Sequence, residues 1–241
     1  MSSEFDAARL SRRAFVAGLP LFLAACQTDG TTASSAPTTQ MAALPPVVVD
    51  PNNSGRTPVV EGYGAITTEP WPIAAIDTSK VDPRYLRQVV PNPTGEKKGT
   101  IVVDTANKFL YYVEDDSGMA RRYGVGVGRQ GFAWNGRAVI DRKQEWPKWF
   151  PPKEMQDRDP EAAKWSEGMP GGITNPLGPR ALYLAQNGKD TYFRLHGTTH
   201  PESIGKAMSS GCIRLFNQDI IDLYNRVPIG TEVSVVQTGV A

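Results

Sequence analysis

His196-Gly197-Thr198-Thr199-His200-Pro201-Glu202-Ser203-Ile204-Gly205-Lys206-Ala207-Met208-Ser209-Ser210-Gly211-Cys212-Ile213-Arg214-Leu215 is the stretch around which the chain is organised. It sets a histidine, a glycine-preceded cysteine and an arginine close together, the residue types that serve as base, nucleophile and anion clamp. A thiol attacks well only as thiolate, so it needs a neighbour that takes its proton and stabilises the charge, and histidine does both near neutral pH. Gly211 lets backbone N–H groups approach a bound carbonyl that a side chain would obstruct. These are the parts of a covalent acyl-transfer site.

Just before it, Thr191-Tyr192-Phe193-Arg194-Leu195-His196 alternates, so that Tyr192, Arg194 and His196 share one face and Phe193 and Leu195 the other. His196 thus ends a scaffolded strand, whereas His200 lies in a Thr-Thr-His-Pro loop, a less exact place for a base. Just after it, Asn217 reads as a helix N-cap, Ile220, Leu223, Tyr224 and Val227 fall on one face, and Pro228 with Gly230 ends the helix. Further out, Gly99–Thr105 and Phe109–Val113 flank a turn at Ala106-Asn107-Lys108 and read as a hairpin. Strands are expected at Arg121–Val127, Arg137–Lys143, Arg180–Ala185, Thr191–His196 and Glu232–Gln237. The fold class is mainly β, a sandwich or barrel-like domain rich in antiparallel pairs, with one short helix after the catalytic loop and a long lid-like insertion. That insertion runs from Glu145 through Gly172, where prolines and tryptophans replace any strand period; Trp146, Trp149 and Phe150 either line a substrate groove or pack the loop onto the sheet.

His-Gly-Thr at 196–198, Ser-Ile-Gly at 203–205 and Ser-x-Gly-Cys-Ile-Arg-Leu at 209–215, in that order, resemble the signature of the YkuD-type L,D-transpeptidase catalytic domain (ErfK/YbiS/YcfS/YnhG-like). The resemblance covers about Gly99 to Val236. Many members carry histidine where this chain has Ser210, a departure that leaves the cysteine–histidine pair intact and alters the hydrogen bonding around Cys212. The resemblance implies Cys212 as nucleophile and His196 as base, with the Gly197 carbonyl orienting the imidazole. N–H groups near Gly211 and Cys212 would hold the oxyanion, and Arg214 a substrate carboxylate; Ser209 and Ser210 would contact loop or substrate. For Arg214 a salt bridge to Asp219 or Asp222 is the alternative. Peptidoglycan stem peptides are the implied substrate, with no metal or organic cofactor. The acceptor stays open between another stem peptide, an outer-membrane protein and water.

With 241 residues, 40% hydrophobic and 21% charged, the chain holds one mid-sized domain plus appendages, and 23 Gly with 20 Pro favour a loop-rich β architecture. A net charge of +1 without a basic tract gives no footprint for nucleic acid. Residues 1–25 read as an export signal: Ser11-Arg12-Arg13-Ala14-Phe15-Val16 resembles a twin-arginine motif, followed by an apolar run too short to span a bilayer. Leu23-Ala24-Ala25-Cys26 resembles a lipobox, which would make Cys26 the lipid-bearing N-terminus of a periplasmic, membrane-anchored protein. A lipidated Cys26 leaves Cys212 without a disulfide partner. Residues 26–58, poor in large apolar side chains, form a flexible tether. Residues 59–98 carry Tyr63, Trp71, Ile73, Tyr85 and Leu86 and are expected to pack on the catalytic domain, residues 99–237; Asp82-Pro83 before Leu86, Val89 and Val90 reads as a short capped helix.

Three alternatives to this acyl-transfer reading are a zinc site, a papain-like peptidase and a lipid-anchored wall-binding protein without catalysis. His196, His200 and Cys212 give His-x-x-x-His spacing, but Gly-Thr-Thr between the histidines makes a poor helix and the zincin glutamate is absent. A papain-like peptidase would place cysteine before histidine.

Overall fold

The computed structural model describes residues 62–129, 134–209 and 211–237, all within one compact unit, Met41–Ala241. The export signal, Cys26, the tether and Ser210 lie outside the described residues.

Asp82 caps a single 3-10 turn, Pro83–Tyr85, its carboxylate accepting from the Arg84 N–H. The helix expected there stops at that turn. Val89 and Val90 instead enter β1 (Gln88–Pro91), as the strand preference of adjacent β-branched residues dictates. Pro91, which cannot donate to a ladder, sits on this strand at one end of the sheet. Next come β2 (Thr100–Asp104) and β3 (Phe109–Tyr112), the expected hairpin, in register from Ile101↔Tyr112 to Asp104↔Phe109. Its turn is set by the Asp104 carboxylate, which accepts from the backbone and side-chain N–H groups of Asn107. Both strands are buried on both faces. Ile101, Val103, Leu110 and Tyr112 point into the main core, while Val102, Phe109 and Tyr111 point into a second cluster. An unbroken apolar run therefore serves two cores by simple alternation.

The chain continues through β4 (Met119–Gly124), β5 (Val127–Gly128), β6 (Gly136–Glu145), α1 (Lys153–Arg158), α2 (Pro160–Ala163), β7 (Arg180–Gln186) and β8 (Lys189–His196). It ends with β9 (Ala207–Ser209), β10 (Ile213–Arg214), α3 (Asn217–Arg226) and β11 (Glu232–Val236). The main sheet runs β1-β4-β3-β2-β11-β6-β7-β8-β10, with β5-β9 as a separate pair. Most neighbours are antiparallel; β2–β11, β8–β10 and β5–β9 are parallel. Just beyond β4, Gly126 exchanges two backbone hydrogen bonds with Arg214 of β10, at 2.9 and 2.8 Å, so the two sides of the sheet meet in a barrel-like closure. A Cβ at Gly126 would stand 2.7 Å from the Ser203 carbonyl oxygen, so only glycine permits this approach.

The insertion departs from the single-helix expectation. Asp159 caps α2 at the Glu161 N–H, and Pro152 and Pro160 stand at or just before the first helical turns, where a missing N–H costs nothing. The buried Asn175 amide donates to the Pro147, Met169 and Pro170 carbonyls and ties the insertion's ends together. Ile220 and Leu223 of α3 and Val227 just past its end enter the main core, with Tyr224 packed at its edge.

Candidate active site

The short parallel ladder between β8 and β10 assembles the site. Ile213 pairs with Leu195 and Arg214 with His196. Leu195 and Ile213 point into the core, so His196 and Arg214 share the opposite face. Cys212, immediately before β10, falls beside Arg194: the Arg194 backbone N–H faces the sulfur, and Cys212 Sγ lies 3.8 Å from the Tyr192 carbonyl oxygen.

His196 is only 5% exposed, and its Nδ1 lies 2.6 Å from the Gly197 carbonyl oxygen. A carbonyl can only accept, so Nδ1 carries the proton and the Nε2 lone pair is left for chemistry. Burial lowers the imidazole pKa to about 4, opposed by the Gly197 carbonyl and reinforced by Arg214 and Arg194. The imidazole is therefore neutral at neutral pH, competent to accept a proton. His200 stands apart, exposed, with Nδ1 3.0 Å from Glu202.

Burial also pushes the half-buried Cys212 thiol up, partly offset by the Arg194 N–H and the charges of Arg194 and Arg214. Both shifts favour the neutral groups, a thiol at Cys212 and an imidazole at His196. Ser209, expected to reach loop or substrate, is 2% exposed and spends both bonds on the loop. Its Oγ donates to the Cys212 carbonyl at 2.6 Å and accepts the Gly211 N–H at 3.1 Å. That bond commits one of the N–H groups expected to face an oxyanion. Gly211 adopts φ 124°, a region that side chains avoid.

Arg214 makes no ion pair with Asp219 or Asp222. Asp219 is engaged by Tyr63 and Arg87, and Asp222 by Arg87, Tyr123 and Arg226. Among the described residues no carboxylate lies within ion-pair distance of the Arg214 guanidinium, which leaves it available to an anion.

The alternation expected over 192–196 breaks at a bulge. Tyr183 pairs with Arg194 but Ala185 with Asp190, and Tyr192 sits at the irregularity with φ 62° and 81% exposure. Arg194 is fixed by a bidentate pair to Asp190, 2.9 Å at each contact, and lies over the Tyr183 ring. Trp146 donates from Nε1 to Glu69 at 2.8 Å and packs on Trp71. It also lines a 270 Å³ cleft with Ile73, Ile173, Thr198 and Thr199. Trp149 is not among that cleft's walls; its backbone bonds Met169 within the insertion, and Phe150 is exposed.

Sequence reasoning missed Arg194 beside the thiol. It also missed Glu69, whose carboxylate binds the buried Arg180 two-fold at 2.9 and 2.6 Å. Asn217, expected as the cap of α3, does not cap it. Phe216 is the N-cap, and the Asn217 Oδ1 instead accepts the Thr198 N–H at 2.9 Å.

A buried, carbonyl-oriented histidine, a cysteine on an adjacent glycine-shaped loop and an arginine that pairs with no carboxylate among the described residues thus stand together on a mainly β scaffold. The chain belongs to the L,D-transpeptidase catalytic domain (YkuD) family, whose model matches residues 98–235. It is similar to the probable L,D-transpeptidase ErfK/SrfK of Escherichia coli K12, 36% identical over 150 residues, covering 60% of this chain and 46% of that protein. It is also similar to the putative L,D-transpeptidase YkuD of Bacillus subtilis 168, 49% identical over 61 residues, or 25% of this chain and 37% of that one. The chain thus spans less than half the length of these curated relatives. A solved Brucella melitensis chain named a probable carnitine operon oxidoreductase is 51% identical, covering 66% of this chain and 99% of that one, with a TM-score of 0.45.

Proposed function

We propose that this protein is a peptidoglycan L,D-transpeptidase in which Cys212 is the nucleophile and His196 the base. The observation that carries this is the Nδ1-to-Gly197 bond, which fixes the tautomer that leaves Nε2 as proton acceptor. As the sulfur attacks the carbonyl of the L-configured residue of a tetrapeptide stem, the thiol proton passes to Nε2 and a tetrahedral oxyanion forms. Because thiol and imidazole both rest neutral, proton transfer accompanies attack. The Cys212 N–H, not tied to Ser209 Oγ, serves the oxyanion. Collapse breaks the C–N bond, the imidazolium proton goes to the departing D-alanine amine, and a thioester remains. An acceptor amine then attacks the thioester, delivering its proton to His196 and restoring the thiol. The product is a cross-link between stem peptides or, with a protein amine, attachment of an outer-membrane protein to the wall. Water as acceptor would make the same site a carboxypeptidase.

Arg214 binds the donor's terminal carboxylate in this reading, supported by a guanidinium whose charge acts on Cys212 and which pairs with no carboxylate among the described residues. Trp146 contributes to a peptide groove. In this reading residues 1–25 act as an export signal and Cys26 carries a lipid, which would deliver the protein to the periplasm and anchor it to a bacterial membrane. Incubating the protein with tetrapeptide stems and following cross-linked product by mass spectrometry tests the reaction; release of the stem as tripeptide alone would leave the hydrolase.

A further inference from the structure

We propose that Asn217 is a positioning residue for His196, acting through the single peptide group that joins Gly197 to Thr198. This rests on His196 being the base. The carbonyl end of that peptide accepts from His196 Nδ1 at 2.6 Å, and its N–H end donates to Asn217 Oδ1 at 2.9 Å. The group that aims the imidazole is therefore itself held at its other end by one amide oxygen.

The surroundings are shaped to that oxygen. A Cβ at Gly197 would stand 2.3 Å from Asn217 Oδ1, and one at Gly178 would stand 2.6 Å from it. Gly178 has φ 66°, where glycine is favoured in any case. Two glycines thus leave room for the amide to reach the peptide edge. The neighbouring groups are also fixed: the Gly197 N–H donates to the Arg180 carbonyl, and the Leu215 N–H to the His196 carbonyl. Thr198 is 4% exposed, so without Asn217 its N–H would lose its acceptor at a largely buried position. Asn217 is the first residue of α3, but its side chain is turned away from capping, and Phe216 occupies the cap position without a side-chain bond.

An amide whose N–H is accepted by a second group has a more polarised carbonyl. The Gly197 carbonyl is what raises the basicity of His196 against burial and two arginines. Asn217 accordingly matters most when the imidazole carries a proton, after the thiol has given it up. It acts on the chemical step and not on donor binding.

The test compares full-length wild type, Asn217→Asp, Asn217→Leu and His196→Ala in donor acylation by a tetrapeptide stem, with kcat and KM separated. Asn217→Leu, which keeps the bulk and loses the acceptor, is expected to lower the acylation rate at saturating donor by at least about tenfold with KM within about twofold. Asn217→Asp, which keeps an acceptor, is expected to stay within about threefold of wild type. Should Asn217→Leu not melt cooperatively, Asn217→Ser, whose hydroxyl is too short to reach the Thr198 N–H, is judged by the same criterion. A smaller loss, a loss carried by KM, an equal loss in Asn217→Asp, or failure of both acceptor-free variants to fold overturns the proposal. Activity in His196→Ala would instead overturn the base assignment on which it rests.

Discussion

Tyr63 and Asp219 meet across a sequence separation of 156, the phenol oxygen 2.9 Å from each carboxylate oxygen. Arg87 lies 3.6 Å from Asp219 and 3.2 Å from Asp222. Beside them the Gln218 amide donates to the Gly64 and Ala74 carbonyls at 3.1 and 2.9 Å. The segment ahead of the family-matched region is thus strapped onto the first turn of α3, directly after the cysteine loop. Asp219 is fully buried. Burial raises its carboxyl pKa to about 7, with Arg87 and Tyr63 pulling it down and Asp222 pushing it up.

A carboxyl raised in the fold holds a proton there that the unfolded chain has already lost. Its stabilising contribution is complete below the unfolded value near 3.8 and is lost as pH climbs to about 7. The stability difference between wild type and Asp219→Asn should therefore fall across that window, by at most about 1.4 kcal/mol per pH unit, and level off above it. Urea denaturation of both proteins from pH 4 to pH 8 reads this directly. A difference that is flat or rises would contradict the assignment.

Arg214→Ala should strip acylation by a tetrapeptide stem severely. Losing one partner of a desolvated charge pair costs on the order of 2–5 kcal/mol, and the loss should leave stability little changed because the side chain makes no ion pair among the described residues. A pentapeptide stem, whose carboxylate lies one residue further out, should acylate even the wild type poorly. Equal acylation by both stems, or by both enzymes, would remove the clamp.

The resting ionisation state sets a pH signature. With the thiol pushed above its usual range and His196 held at about 4, iodoacetamide alkylation of Cys212 should keep rising past about pH 9 without a neutral plateau. Donor acylation, which needs the neutral imidazole, should fail on the acid side only near pH 4. A flat alkylation rate between about pH 5 and pH 8 would instead signal a preformed thiolate–imidazolium pair.

On the proposal that Cys26 carries a lipid, Cys26→Ser should release the protein from membranes to the soluble fraction while the purified domain still acylates, because the substitution lies far in sequence from Cys212. Wild-type protein recovered soluble and without lipid mass would refute the anchor.

The hairpin at 100–112, α3 and the place of His196 at a strand end were legible because each rests on local periodicity. What escaped the sequence was set by contacts between distant segments. The alternation through Tyr192 fails because β7 and β8 slip against one another, and no residue in 191–196 announces a bulge. Asn217 stands where caps stand, and only the return of Thr198 beside it shows another use for its oxygen. Glu69 and Tyr63 lie in a segment whose polar residues find partners more than a hundred positions away, Arg180 and Asp219. Arg214 could be read as a clamp or a salt bridge until the structure showed both acids already taken.

In the proposed reaction Cys212 forms the acyl-enzyme with His196 as its base. Intact mass of the protein after incubation with a tetrapeptide stem tests it most directly. Wild type is expected to gain the mass of the acyl tripeptide portion, labile to hydroxylamine as a thioester is; Cys212→Ser should gain none, His196→Ala nearly none, and His200→Ala should behave as wild type. Adduct on Cys212→Ser, or full acylation of His196→Ala with loss in His200→Ala, would contradict the account.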